Sequence, residues 1–336
     1  IDGQRVPDLD VKKIFLSATH THTAPVLEPG SFILPEGVTP VEDYVALLVR
    51  RIAEAIEKAW AGRAPGSFTF GLTDAVVAYN RRAVYANGSA AMYGKADRPD
   101  FMGIEGCEEN DVGTLFFWNA DGKLLGICVN VSSPSQELMH LRAIHADFWH
   151  PVREALHQQY GEDVCILAWC GAAGDQNPHP YMLYRKAAEE RMRRLRGGNE
   201  TARRIVRAVS EAYEVVKDER YANVPMTHLV ETISLPMRKV TEAEYAAAKA
   251  ARQKVEDEIA GDPKAADRLH RRMKWYGRTV NRFESLKDNP NPTYDMELHV
   301  LRLGDVAICT NPFELFTEYG VRIKGRSKAV QTFLIQ

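Results

Sequence analysis

The chain has 336 residues, enough to bury a sizeable core as one large domain or two intimate ones. Its 43 Lys and Arg balance 45 Asp and Glu to a net charge of −2, so bulk charge selects neither nucleic acid nor an anionic membrane as partner. No apolar run reaches the roughly 20 residues that span a bilayer as a transmembrane segment, and the five cysteines lack a C-x-x-C spacing, so they read as free thiols and not as a disulfide framework.

In chain order, Ile14-Phe15-Leu16 reads as a β-type run leading into Ala18-Thr19-His20-Thr21-His22-Thr23-Ala24-Pro25-Val26. In an extended segment residues i and i+2 point to one side, so His20 and His22 are expected to approach one centre, and neutral imidazole is the commonest protein ligand for zinc. Taken alone, an H-x-H more often marks two ordinary polar histidines than a metal. Thr39-Pro40-Val41-Glu42 reads as a capping box with proline at the first helical position. The helix it opens runs to about Gly62 and places Tyr44, Leu48, Ile52, Ala55 and Ala59 on one packing face.

Strands are expected at 67–72, 113–118 and 124–131, with Asn119-Ala120-Asp121-Gly122 as the hairpin turn between the last two. Amphipathic helices are expected at 147–159 and 200–217. Between them, Val164-Cys165-Ile166-Leu167-Ala168-Trp169 is a buried-strand pattern. It runs into the small-residue loop Cys170-Gly171-Ala172-Ala173-Gly174-Asp175-Gln176-Asn177-Pro178-His179. Such a loop lets backbone N–H groups approach an anionic centre. The locally basic stretch from Arg191 to Arg207 reads as a solvated helix face.

Thr241-Glu242-Ala243-Glu244 starts a charged, alanine-rich helix that breaks at Gly261-Asp262-Pro263 and resumes, a helical-hairpin insertion over about 241–289. A cover over the site, a contact in a homo-oligomer and a solvated decoration are its three readings. Last come the strand Val306-Ala307-Ile308-Cys309-Thr310, the turn Asn311-Pro312-Phe313-Glu314 with Glu314 opening a helix to Lys324, and an apolar terminus at 330–336. Strand ends that deliver polar groups are where open α/β sheets keep their sites. The expected fold is therefore α/β, layered, as one domain over 1–336, and the natural protein is expected to extend at both ends.

With these motifs in place the chain resembles the neutral, non-lysosomal ceramidases in their N-terminal catalytic domain. The resemblance rests on Thr19-His20-Thr21-His22-Thr23 for T-H-T-H-S, Asn80-Arg81-Arg82 for N-R-S, and Gly174-Asp175-Gln176-Asn177-Pro178 for G-D-x-S-P. Weaker matches are Ala146-Asp147 for S-A-D, and Asn311-Pro312-Phe313-Glu314 where the family has G-E before a helix. It implies a secreted or periplasmic zinc-dependent hydrolase of an N-acyl amide or ester, with a small-molecule or acylated substrate. It further implies that His20 and Glu314 ligate Zn2+ and that His22, Arg81 and Asp175 serve in the site.

Three departures accompany it. Asn177 stands where the family has its catalytic serine and offers no hydroxyl to deprotonate. The run after 126–131, Ser132-Ser133-Pro134-Ser135-Gln136-Glu137, lacks the family's zinc histidine, and its tyrosine ligand falls beyond residue 336. His22, His140, His145, His150 and His179 are the candidates to replace the imidazole; His179 and His22 are favoured because they sit in motif loops, whereas His150 and His157 fall on a helix. Zinc-bound hydroxide is then the expected nucleophile, with Asn177 donating its amide to the intermediate. Trp149, Trp169, Tyr181 and Tyr184 are candidate walls for the substrate. The alternatives are a silent ligand-binding relative and a metallo-hydrolase of another bond such as a phosphoester.

Overall fold

The computed structural model describes residues 6, 8–141, 143–180, 186–197 and 199–336, so the expectations for Tyr181 and Tyr184 lie outside the described residues. The chain falls into two compact units. The larger holds 7–24, 62–231 and 297–336, and the smaller 1–6, 25–61 and 232–296.

The smaller unit contributes α1 (Val41–Ala61), whose Val41 is buried while Tyr44, Leu48 and Ile52 are half-buried and Ala55 and Ala59 exposed. The expected packing face is thus only partly used. The larger unit follows with β1 (Gly66–Asp74), β2 (Tyr79–Asn80), β3 (Arg82–Tyr85), β4 (Ala90–Met92), β5 (Phe101–Ile104), β6 (Asp111–Asn119) and β7 (Leu124–Val131). Next come α2 (Trp149–Tyr160), β8 (Cys165–Cys170), β9 (Gln176–Asn177), α3 (Lys186–Leu195) and α4 (Glu200–Val216). The long strands β10 (Met226–Pro236) and β11 (Thr293–Leu303) each run through a boundary of the units and flank α5 (Glu242–Gly261) and α6 (Ala266–Leu286); β12 (Val306–Thr310), α7 (Thr317–Arg326) and β13 (Gln331–Ile335) close the chain.

The main sheet has the order β1-β6-β7-β8, antiparallel except for the parallel pair β7 and β8. The expected hairpin turn is present: Gly122 (φ 79°) donates to Asn119 O at 3.1 Å, and Asn119 pairs Lys123. One face of this sheet, through Phe116, Ile127, Val129 and Ala168, buries Val152 and Leu156 of α2 with Ile205 and Val209 of α4. The other face, through Leu115, Cys128 and Trp169, buries Val306, Ile308, Phe333 and Ile335. Adjacent residues thus point into opposite cores, which is why these strands read as unbroken apolar runs. Each such side chain contributes about 1.5–3 kcal/mol on burial. The second sheet has the order β10-β11-β12-β13, with β12 and β13 parallel, so the apolar terminus is a buried strand. Helices, sheet and sheet make three layers, a layered α/β fold.

Several expectations are corrected. Residues 14–16 form no strand; a 3-10 turn at Val11–Lys13 leads into an irregular segment. The small sheet β4-β3-β5 was not anticipated. The basic stretch is not a solvated face throughout: Glu200 is buried and binds Arg203 and Arg204 at 2.8–2.9 Å, and buried Arg193 binds Glu137 at 2.5 Å. All five cysteines are free, with Cys128 and Cys170 buried but Cys107 and Cys165 exposed.

In the smaller unit, α5 and α6 form the expected hairpin, with the reciprocal capping box of Thr241 and Glu244 in place and a break at Pro263–Ala265. Its core is thin: Val255, Ala265 and Leu269, with Ile259, Met273 and Tyr276 packed against them. Among the described residues no helix is long and apolar enough to cross a membrane.

Candidate functional site

The site begins with a two-residue ladder in which Tyr79 pairs Asn177 and Asn80 pairs Gln176, so two loops 95 residues apart are laid side by side. Arg81 N donates to Asp175 O at 2.8 Å. Asp175 is buried, and its carboxylate is fully engaged. Oδ2 accepts from the Asn80 amide at 2.9 Å, and Oδ1 accepts from both the backbone N and the hydroxyl of Thr317 at 2.8 Å. Thr317 is the first residue of α7, so Asp175 satisfies a backbone donor that has no partner within the helix. The expected helix start at Glu314 is corrected by this contact: Glu314 lies in the preceding loop. That loop is pressed onto Gly174, whose N donates to Leu315 O at 2.8 Å and where a Cβ would stand 2.3 Å from Glu314 O.

Strand alternation does not position the two histidines. His20 has φ 59°, in the left-handed region, and its ring stacks on that of His22 at 5.3 Å between centroids and 15° between planes. The threonines of the motif hold the segment. Thr21 and Thr23 hydroxyls donate to His145 O at 3.2 and 2.7 Å, while Ser135 N and Oγ donate to Thr19 O at 3.2 and 2.6 Å. A strained backbone that its surroundings over-determine is a mark of functional sites. His20 Nε2 faces Glu314 Oε1 at 4.0 Å. Burial lowers the His20 pKa, opposed by the Glu314 carboxylate and helped by the Arg81 cation, which favours neutral imidazole.

A second set of contacts runs from Asn177 to His22. Asn177 is fully buried; its amide donates to Gln136 Oε1 at 2.6 Å and to Tyr93 Oη at 3.2 Å, and its Oδ1 accepts from His179 N at 2.8 Å. The Gln136 amide then lies 2.7 Å from His22 Nε2. An amide nitrogen only donates, so His22 Nε2 accepts and the proton sits on Nδ1. Arg81 donates to Tyr93 Oη and to Gly174 O at 2.8 Å, with its guanidinium 5.0 Å from the Tyr93 ring centroid. Gln136 and Tyr93 were not singled out in the sequence. For Gln136 the signal was the run 132–137 itself, read only for a histidine it lacks; Tyr93 carried none.

No family model matches the sequence and no curated protein matches it. Among solved structures, the crystal structure of neutral ceramidase from Pseudomonas aeruginosa superposes with a TM-score of 0.54 at 17% identity, over 84% of this chain and 46% of that one. A structure of ceramidase complexed with C2 gives 0.55 at 13% identity, over 88% of this chain and 50% of that one. This chain shares the ceramidase fold. It spans about half the length of those chains.

On this ceramidase fold, His20, His22, Arg81 and Glu314 stand together, with Asp175 and Asn177 directly behind them. His179 does not join them: its Nε2 lies 3.1 Å from Glu137 O, beside the Arg193 pair. His140 is exposed, His157 bonds Val164 O at 3.0 Å, and His145 packs on His150 at 5.8 Å in a separate cleft of about 540 Å³. Ala146-Asp147 is structural, since the buried Asp147 carboxylate accepts from the backbone of Glu137, Leu138 and Phe148 at 2.7–3.1 Å. Trp149 and Trp169 are buried in the two cores of the main sheet. Neutral imidazole and carboxylate are donor types that zinc takes, and His20 and Glu314 supply one each. Among the described residues no three His, Cys, Asp or Glu converge as a metal-holding group.

Proposed function

We propose that this chain is a hydrolase of an N-acyl amide or ester bond that uses water activated by a zinc ion held by His20 and Glu314, with His22 beside them. The observation that carries the reading is the approach of His20 Nε2 to Glu314 Oε1 at 4.0 Å, from segments almost 300 residues apart, with the Arg81 charge acting on the same imidazole. Bound zinc would supply a water of lowered pKa near 7. The chain's own groups account for the rest. Arg81, locked by Tyr93 and Gly174, places a fixed positive charge where an acyl oxygen gains negative charge, and needs no reorganisation to do so. His22 is exposed, and with its Nε2 accepting from the Gln136 amide and its ring stacked on His20 it would orient the acyl group beside the metal. Asp175 and Asn177 act through others: one holds the Glu314 loop, the other the Gln136 amide.

Ligand binding without turnover is the second reading, favoured by the lack of a third converging donor among the described residues. Elemental analysis of purified protein, with a panel of N-acyl, O-acyl and phosphoryl substrates, separates the two. One zinc per chain and acyl hydrolysis, both lost in His20→Ala, are expected. Stoichiometric metal in His20→Ala overturns the ligand assignment, and metal-loaded wild type that cleaves nothing favours the binding reading.

A further inference from the structure

The near-zero net charge of the chain conceals a strong local asymmetry in the smaller unit. A cleft of about 850 Å³ lies between the loop at 28–32 and α6, and Glu28 is its one lining carboxylate. On α6 it is lined by Arg268, Arg271, Arg272, Lys274 and Arg278, all exposed. Helical spacing produces this face. Leu269, Met273 and Tyr276 pack with Val255 and Ile259 of α5, so the residues at 268, 271, 272, 275 and 278 turn away from it. Arg268 and Arg278 are offset by Glu258 at 2.9 Å and Glu28 at 3.3 Å, whereas Arg271, Arg272 and Lys274 have no salt bridge among the described residues.

Apolar groups stand beside these cations. Trp275 is 70% exposed, and the same loop bares Leu27, Phe32, Ile33, Leu34 and Val38. The loop is fastened to the basic helix, not merely near it. His270 Nε2 donates to Gly30 O at 2.9 Å, Arg278 reaches Glu28, and the Arg271 guanidinium lies 5.6 Å from the Phe32 ring centroid. An exposed cluster of large apolar residues is rare on a surface that faces only water. Exposed Trp, a run of aliphatic residues and clustered Arg and Lys together match a bilayer interface: rings and aliphatic chains enter the headgroup layer while cations meet lipid phosphates.

We propose that α6 and the loop at 27–38 form a docking surface for an anionic phospholipid bilayer. The surface does not depend on the hydrolytic reading. An acidic soluble protein would satisfy the cations but leave the apolar loop unexplained.

The test is co-sedimentation of the full chain with vesicles of phosphatidylcholine alone or mixed with phosphatidylglycerol, at low and high salt, with Trp275 emission followed alongside. Salt-sensitive binding to the mixed vesicles only is expected, with a blue shift in emission that Trp275→Phe removes. Replacing Arg271, Arg272 and Lys274 together by Ala should weaken binding on the order of 100-fold. Ile33→Ser with Leu34→Ser should weaken it while the melting temperature of the chain is unchanged. Equal binding to both vesicle types, binding to neither, undiminished binding by the triple variant, or capture by soluble polyglutamate without any vesicle binding each overturns the proposal.

Discussion

Asp175 Oδ1 accepts hydrogen bonds from the backbone N and the hydroxyl of Thr317, both at 2.8 Å, across 142 residues of sequence. The contact starts α7 and holds in place the loop that carries Glu314. Asp175→Ala should therefore cost about 1–2 kcal/mol for the lost cap, and more for the stranded Asn80 amide. Denaturant titration measures this, and activity should fall together with stability. An unchanged unfolding midpoint with abolished activity would instead place Asp175 in contact with substrate.

Gly174→Ala tests the same junction from the other side. A Cβ there meets the Glu314 carbonyl at 2.3 Å, a backbone atom that cannot swing aside, so the loops must part. The expected cost is about 1–3 kcal/mol, with Glu314 displaced from His20. A crystal structure of the variant with the pair intact would refute this.

Arg81→Ala should slow acyl hydrolysis on the order of 100-fold or more, because the guanidinium acts on developing charge. Its hydrogen bonds to Tyr93 and Gly174 also predict a modest loss of stability. Steady-state kinetics beside a melting curve separates the effects, and full activity would make Arg81 a structural neighbour only.

Asn177→Ser should not create a nucleophile. The side chain is fully buried and bonded to Gln136, Tyr93 and His179, and serine is too short to keep both amide contacts. A loss of about 1–3 kcal/mol and no covalent acyl-enzyme in a mass spectrum are expected. A gain in rate of several orders of magnitude would show that the hydroxyl alone was missing.

The buried Glu200 predicts the acid response. Hydrogen bonds from Arg203, then from Arg204, hold its carboxyl down to about 2. Its contribution is present above the ordinary carboxylate value and is lost as pH falls from about 4.5 toward 2. Glu200→Gln should cost about 3 kcal/mol at neutral pH, because it leaves Arg196, Arg203 and Arg204 around an uncharged group. The gap to wild type should close as the pH drops through that window; a gap independent of pH would remove charge as its cause.

Local chemistry in the sequence determined the strands at 113–118 and 124–131 with their turn, since a short apolar β-type run and an Asp-Gly turn need only neighbours. The same holds for the hairpin of α5 and α6, whose capping box and Gly-Asp-Pro break lie within a few residues of the elements they bound. The motif residues His20, His22, Arg81, Asp175, Asn177 and Glu314 were also legible, although not their conformations. Tertiary structure decided those: the left-handed backbone of His20, the pairing of β2 with β9, the start of α7 at Thr317, and the burial of Glu200 among arginines. Each depends on a partner far away in sequence, and a polar group's environment is set by which loops the core brings together, a matter on which local propensity is silent.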